Sequence, residues 1–178
     1  MRNEGIVLTD IDLGGGFGVT YNEEPAFDVA AWGRQIKERL EDRGLQLSIE
    51  PGRFLTANAG VLLTRVEYLK VGDEYSRSNG VRSPVKHFAV VDAAMNDLLR
   101  PSLYQAWHGV LPVKQQNAHG NTRSWDIVGP ICESGDWLAK DRQMSLSAGD
   151  LLCVLSAGAY GSTPVSYTHL TLPTTPYV

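Results

Sequence analysis

The chain has 178 residues with a formal net charge of −4, and 43% of them are hydrophobic and 20% charged; this composition is typical of a globular domain and offers no basic surface for nucleic acid or a membrane. No apolar run reaches the length of a transmembrane helix, and the N-terminus lacks the apolar segment of a signal peptide, so we expect no membrane partner. The two cysteines are too few for a disulfide framework, and we therefore expect reduced thiols and a cytoplasmic location.

The first 60 residues predict a strand–helix–strand unit. Residues 6–13 have the composition of a strand, and LQLSIE at 45–50 predicts a second one. Between them, residues 28–43 predict a helix with Asp28 as its N-cap. Apolar side chains recur there at spacings of three and four, at Val29, Trp32, Ile36 and Leu40. A helix between two strands is the usual connection of parallel neighbours, so we expect the strands to be parallel.

A polar motif follows each of these two strands. Three glycines occupy positions 14–16 after the first strand, and Glu-Pro-Gly-Arg occupies 50–53 after the second. The carboxyl ends of parallel strands share one edge of a sheet, where α/β folds place their sites. Consecutive glycines let backbone N–H groups approach an anion closely, although a flexible loop has the same sequence. The pattern therefore predicts either an anion site or a plain loop at this edge.

The character of the sequence changes after a short helical stretch near 54–60. The runs VLLTRVEYLKV, KHFAVVDAAM and LLCVLSAGAY are rich in strand-forming residues, and turn signals separate them. We therefore place a domain boundary near residue 61 and expect an all-β domain, a sandwich or barrel, over 61–161. Residues 162–178 contain no Asp, Glu, Lys or Arg and are rich in Thr and Pro, so we interpret them as a non-native or disordered tail.

The two cysteines occur in different contexts. Cys153 lies in the apolar run DLLCVLSA, which favours a packing role. Cys132 is followed by Glu133 and Ser-Gly-Asp in a turn-like stretch. A thiol beside a carboxylate at a turn is a candidate reactive group, but most single cysteines are inert, so local context leaves both readings open.

Five segments in order resemble diaminopimelate decarboxylases, pyridoxal phosphate enzymes of the alanine-racemase-like class. They are DLGGGFGVTY, IEPGRF, VVDAAMNDLLRPSLYQAWH, GPICESGDWLAKDR and GDLLCVLSAGAYG, and together they span roughly residues 8–161. The resemblance implies that residues 1–60 are the terminal part of a (β/α)8 barrel that binds the cofactor and that a C-terminal β domain follows. It also implies decarboxylation of meso-2,6-diaminopimelate to L-lysine and CO2, the last step of lysine biosynthesis.

The same resemblance implies that pyridoxal 5′-phosphate is the cofactor and that no metal is needed. The glycine loop would contact the phosphate, and Glu50 would face the pyridine nitrogen and keep it protonated. Arg53 would bind oxyanions with its planar fork. The implied cofactor-binding residues are Gly14, Gly15, Gly16, Glu50, Gly52, Arg53 and Tyr160.

The resemblance further assigns the substrate and the proton donor. Cys132 would protonate the substrate carbon after decarboxylation, because a thiol is mostly protonated at neutral pH yet releases its proton readily. Pro101 is expected to prevent a helix and to leave a rigid turn there. The family joins two subunits so that the cysteine loop of one completes the site of the other, so we expect a homodimer. The implied substrate-binding residues are Arg53, Arg100, Tyr104, Glu133 and Tyr160.

One expected group has no counterpart. Enzymes of this class bind the cofactor covalently through a lysine on an early barrel strand, and no lysine of this sequence matches that position. We therefore expect a C-terminal fragment that is inactive by itself. Two alternatives remain open: a decarboxylase of ornithine, arginine or carboxynorspermidine, and a non-catalytic module that binds pyridoxal phosphate or another protein.

Overall fold

A computed structural model describes residue 5 and residues 7–40, 43–72, 77–78, 81–82, 85–114 and 121–161. The predicted tail, residues 162–178, lies outside the described residues. Within the described part of the chain, no helix combines the length and the apolar character needed to cross a membrane.

The first segment forms the predicted parallel unit. Strand β1 (Asp10–Asp12) and strand β2 (Gln46–Ser48) pair in parallel, and helix α1 (Val29–Leu40) connects them. The carboxylate of Asp28 accepts a hydrogen bond from the amide of Ala31 (2.8 Å), so the predicted N-cap is confirmed.

Strand β1 is shorter than predicted, and among the residues that the structure describes it pairs with β2 alone, over three residues. Val7 and Leu8, which the sequence placed in this strand, precede it and are 83% and 57% exposed. The helical stretch predicted at 54–60 starts earlier, as α2 (Gly52–Thr56), and continues into a 3-10 turn (Ala57–Ala59).

The second segment contains further strands and a short helix. Their bounds are β3 (Leu62–Lys70), β4 (Arg77–Ser78), β5 (Val81–Arg82), β6 (His87–Val91), α3 (Leu99–Tyr104), β7 (Val110–Pro112), β8 (Arg123–Val128), β9 (Trp137–Met144) and β10 (Leu151–Val154). Six of the strands form a mixed sheet in the order β7-β10-β3-β6-β8-β9. All neighbours in it are antiparallel except β6 and β8. The two short strands β4 and β5 pair with each other.

Alternation along these strands places the core on one face of the sheet. Along β3, buried Thr64 and Val66 alternate with exposed Leu63 and Arg65. Removing each large apolar side chain from water stabilises the fold by about 1.5–3 kcal/mol. Trp125 is also buried, and its indole N–H donates to the carbonyl oxygen of Met144 (3.0 Å), which avoids an unpaired polar group.

Several details of the predicted all-β segment are corrected. Pro101 does not prevent a helix, since it is the third residue of α3, in the first turn, where an amide hydrogen has no helical partner. The run KHFAVVDAAM ends its strand at Val91 and continues as turns. Cys153 is only partly buried in β10, where it pairs with Leu63 and Leu111.

Candidate cofactor and substrate site

The glycine loop after β1 is hydrogen-bonded to the end of β2. The amide of Glu50 donates to the carbonyl oxygen of Gly14 (2.9 Å), and the amide of Gly14 donates to the carboxylate of Asp12 (2.7 Å). A Cβ atom on Gly15 would lie 2.7 Å from the carbonyl oxygen of Glu50, so a residue with a side chain could not pack this closely. The parallel pairing therefore brings the two predicted polar motifs together.

A cavity of about 680 Å³, called here the glycine cavity, opens where this loop, α2 and the residues after β10 meet. At its edge, Glu50 is exposed and Arg53 is half-buried. Gly14 lies outside the lining, but its carbonyl oxygen accepts the hydrogen bond from the Glu50 amide. The lining includes the other predicted cofactor residues, Gly15, Gly16, Glu50, Gly52, Arg53 and Tyr160.

An aromatic cluster supports this cavity from below. Phe17 lines the cavity and is buried, and its ring meets the edge of Trp32 at a centroid distance of 5.0 Å. The ring of Phe27 lies 5.4 Å from that of Phe17, also edge to face. Such pairs add about 0.5–1.5 kcal/mol beyond area burial. The packing of Phe17 against Trp32 thus holds the end of the glycine loop on helix α1.

The loop that carries Tyr160 packs by close backbone contact against the end of α2 and the 3-10 turn that follows it. The amide of Ala157 donates to the carbonyl oxygen of Gly60 (2.9 Å), and the amide of Gly158 donates to that of Ala57 (3.0 Å). A Cβ atom on Gly158 would overlap the carbonyl oxygen of Thr56 and lie 2.7 Å from the amide nitrogen of Gly60. This contact places Tyr160 at the cavity although it is 110 residues from Glu50 in sequence (160 − 50).

Helix α3 carries Arg100 and Tyr104 and lies against the same loop. The amide of Leu99 donates to the carbonyl oxygen of Gly161 (3.0 Å). Arg100 is half-buried and its Nη1 donates to the hydroxyl of Tyr21 (2.6 Å). Tyr104 is 63% exposed. Neither Arg100 nor Tyr104 lines the glycine cavity.

The turn that bears Cys132 is held by a buried carboxylate. Asp136 is 4% exposed, and its two oxygens accept hydrogen bonds from the amides of Met95 and Ile131, each 2.7 Å long. Cys132 itself is exposed. A buried acceptor under a short turn fixes the backbone while the thiol stays accessible.

Helix α3 also joins this turn to the rest of the site. The hydroxyl of Ser102 lies within hydrogen-bonding distance of the carbonyl oxygens of Gly135 and Trp137. Glu133 lines a separate cavity of about 410 Å³, and neither Cys132 nor Glu133 lines the glycine cavity. Within one chain, the predicted site residues therefore form two clusters that α3 connects.

Sequence reasoning missed the residues that hold these clusters in place. Tyr21 and Asp136 both lie inside segments that carried the resemblance, but neither received a role. Gly158 has the same status within GAYG. Aspartate after Ser-Gly is a turn signal and could have indicated Asp136. Glycine near a strand end is a signal of close packing and could have indicated Gly158.

Comparisons with known proteins identify the family of the chain. The profile of a family described as pyridoxal-dependent decarboxylase, C-terminal sheet domain, matches residues 9–158. Diaminopimelate decarboxylase of Pseudomonas fluorescens is 55% identical over 157 residues, which are 88% of this chain and 35% of that protein. That of Pseudomonas aeruginosa is 53% identical over 161 residues, 90% of this chain and 36% of that protein.

A solved structure gives the same result. The crystal structure of diaminopimelate decarboxylase from Helicobacter pylori complexed with L-lysine superposes with a TM-score of 0.76 at 37% identity, covering 90% of this chain and 37% of that one. The chain thus spans about a third of the length of these relatives. The resemblance predicted from the motifs is confirmed, and the chain belongs to the pyridoxal-dependent decarboxylase family, of which it contains the C-terminal sheet domain.

Proposed function

We propose that the full-length protein carrying this chain decarboxylates meso-2,6-diaminopimelate to L-lysine and CO2 with pyridoxal 5′-phosphate as cofactor. The single observation that carries the proposal is the convergence of the glycine loop, Glu50, Arg53 and Tyr160 on one cavity. The curated relatives named for this activity, at 53–55% identity, support the choice of substrate.

The cavity fits the cofactor in size and in chemistry. Its volume of about 680 Å³ lies within the usual range for small-molecule sites, about 300–1,000 Å³. Glycine backbone and the Arg53 guanidinium suit a phosphate, and the Glu50 carboxylate suits a protonated ring nitrogen. When bound, pyridoxal phosphate supplies an electron sink for the negative charge that decarboxylation leaves on the α-carbon.

Residues 1–60 are proposed to be the end of a (β/α)8 barrel, with the β domain beginning near residue 61. The parallel pair and its crossover helix support this division. Leu47 and Ile49 lie two residues apart and therefore on one face of the extended chain at β2, and each is apolar and 41% exposed. Further elements of a barrel would cover such a face. No lysine lines the glycine cavity among the described residues. The lysine that binds the cofactor in this class is proposed to lie in another part of the full-length protein.

The substrate has an ammonium and a carboxylate at each end, so it needs partners of both charges. Arg53 and Arg100 are proposed to bind carboxylates, and Glu133 to bind the far ammonium group. Tyr104 and Tyr160 are proposed to add hydroxyl contacts. These side chains come from α2, α3, the Cys132 turn and the loop after β10.

Cys132 is proposed to deliver a proton to the substrate carbon in a second copy of the chain. Its thiol is exposed and lies outside the lining of the glycine cavity of its own chain. A homodimer in which each turn reaches the partner's cavity would bring the two clusters together. Two-fold symmetry would then give two identical composite sites.

The decisive assay measures lysine and CO2 formed from meso-diaminopimelate by the full-length protein with pyridoxal phosphate. Ornithine and arginine serve as competing substrates. We expect a kcat/KM for meso-diaminopimelate at least about tenfold above the others, because ornithine and arginine have no far carboxylate and would leave the arginine that binds it without a partner. Absence of lysine, or faster turnover of ornithine, would exclude the proposal.

The composite site has its own test. Cys132→Ala and Arg53→Gln would each inactivate the homodimer, but co-expressing the two variants should restore about a quarter of wild-type activity, because random pairing leaves one intact site in half of the dimers. Co-expression that restores nothing would place both residues in the same site of one chain.

A further inference from the structure

Residues 20–24, next to α3, have no regular secondary structure, but hydrogen bonds hold their backbone in place. The carboxylate of Glu24 accepts hydrogen bonds from the amides of Asn22 (2.7 Å) and Tyr21 (3.0 Å). Backbone hydrogen bonds, first that of Asn22, hold the pKa of Glu24 below its ordinary value. The side-chain amide of Asn58 donates to the carbonyl oxygen of Thr20 (3.3 Å). The backbone of Tyr21 is therefore anchored independently of its side chain.

The Tyr21 side chain lies between Arg100 and His108. Its hydroxyl accepts the 2.6 Å hydrogen bond from Arg100, and the guanidinium carbon lies 4.9 Å from its ring centroid, within cation–π range. The ring meets that of His108 edge to face, with centroids 5.2 Å apart. Arg100 thus has one neutral aromatic partner, 79 residues away in sequence.

His108 supports this contact without adding charge. It is fully buried, and burial lowers the pKa of its imidazole, with the nearby Arg100 and Arg142 charges lowering it further. Its Nδ1 lies 2.9 Å from the carbonyl oxygen of Leu155, so Nδ1 carries the hydrogen in the neutral ring. A neutral imidazole behind Tyr21 does not repel the guanidinium.

The charge of Arg100 is left uncompensated. Among the described residues, no acidic side chain forms an ion pair with it. A carboxylate is the partner that suits the planar guanidinium fork best, because it accepts two parallel hydrogen bonds. A hydroxyl partner instead occupies one of five N–H donors and leaves the positive charge and the remaining donors for a carboxylate from outside the chain.

We propose that Tyr21 is a positioning residue that orients the Arg100 fork toward a substrate carboxylate. The inference rests on the proposed function, in which Arg100 binds that carboxylate. A free arginine side chain samples many rotamers and must be ordered when a ligand binds. Tyr21 orders it in advance, so its hydroxyl acts on substrate affinity and leaves the proton-transfer step unchanged.

The test compares Tyr21→Phe with Tyr68→Phe in the full-length protein with pyridoxal phosphate. Both variants lose one hydroxyl, and Tyr68 is a matched control because it lies 58% exposed on β3. Tyr21→Phe should raise KM for meso-diaminopimelate roughly tenfold, the cost of ordering one long side chain. Its kcat should change less than about twofold, and Tyr68→Phe should match the wild type.

A double-mutant cycle separates positioning from a purely structural role. In an Arg100→Lys background, which keeps the charge and removes the fork, Tyr21→Phe should change kcat/KM less than about twofold. An equal loss in both backgrounds, or a lowered thermal midpoint with unchanged KM, would overturn the inference.

The two proposals fail differently. If the wild type decarboxylates meso-diaminopimelate and Tyr21→Phe has the KM of Tyr68→Phe, only the role of Tyr21 is wrong. A wild type that forms no lysine overturns the proposed function, and the role of Tyr21 with it.

Discussion

At Gly158, one added methyl group should separate the loop that carries Tyr160 from the backbone of residues 56–60. In Gly158→Ala, the new Cβ would meet backbone atoms of Thr56 and Gly60, which cannot rotate away. The loop must move off α2, and the hydrogen bonds from Ala157 and Gly158 to the Gly60 and Ala57 carbonyl oxygens lengthen or break. Tyr160, two residues further on, would leave the cavity lining.

The expected magnitude follows from these contacts. Two backbone hydrogen bonds contribute about 0.5–1.5 kcal/mol each, and overpacking costs about 1–3 kcal/mol. The two costs partly replace each other, because moving the loop relieves the overlap. We therefore expect Gly158→Ala to lower the free energy of unfolding by about 2–4 kcal/mol, measured by chemical denaturation of the chain.

The matched control is Gly33→Ala. Gly33 lies in α1, and a Cβ atom there meets nothing within 4 Å. Alanine favours a helix over glycine by about 0.8–1 kcal/mol, so this variant should be slightly more stable than the wild type. If Gly158→Ala instead unfolds at the wild-type denaturant concentration, the loop does not depend on the close contact.

Three further predictions concern the Cys132 turn and the buried His108. Cys132→Ala should lower kcat of the full-length protein by about 10²–10⁴, the usual span for a lost general acid, and near-normal turnover would remove the thiol from the mechanism. Asp136→Ala leaves the partly buried amides of Met95 and Ile131 without their acceptor and should cost about 2–3 kcal/mol in the free energy of unfolding; a loss below about 0.5 kcal/mol would mean that water replaces the carboxylate. The pKa of His108 in the folded chain is lowered from its ordinary 6.5. The unfolded chain therefore protonates this imidazole more readily than the folded chain does. The free energy of unfolding should fall as pH drops below 6.5, by up to about 1.4 kcal/mol per pH unit. His108→Asn should remove that part of the slope in denaturation curves between pH 5 and 7, and an unchanged slope would assign it to other groups.

Local features of the sequence determined the first segment. The helix over α1, its Asp28 cap and the parallel pairing of β1 with β2 were predicted because apolar periodicity, capping chemistry and connection length act over a few residues. The same local logic put the glycine loop and Glu50 at one edge. The order of five motifs then identified the family, which the comparisons confirm.

Tertiary structure decided what lies far apart in the chain. Three contacts leave no local pattern: the parallel pairing of β6 with β8, the hydrogen bond from the Met95 amide to Asp136, and the contact of Tyr21 with Arg100. Each joins segments whose meeting depends on the path of the whole backbone. Pro101 was wrongly predicted to prevent a helix for a related reason. Its effect depends on its position within the helix, and only the fold placed it in the first turn of α3.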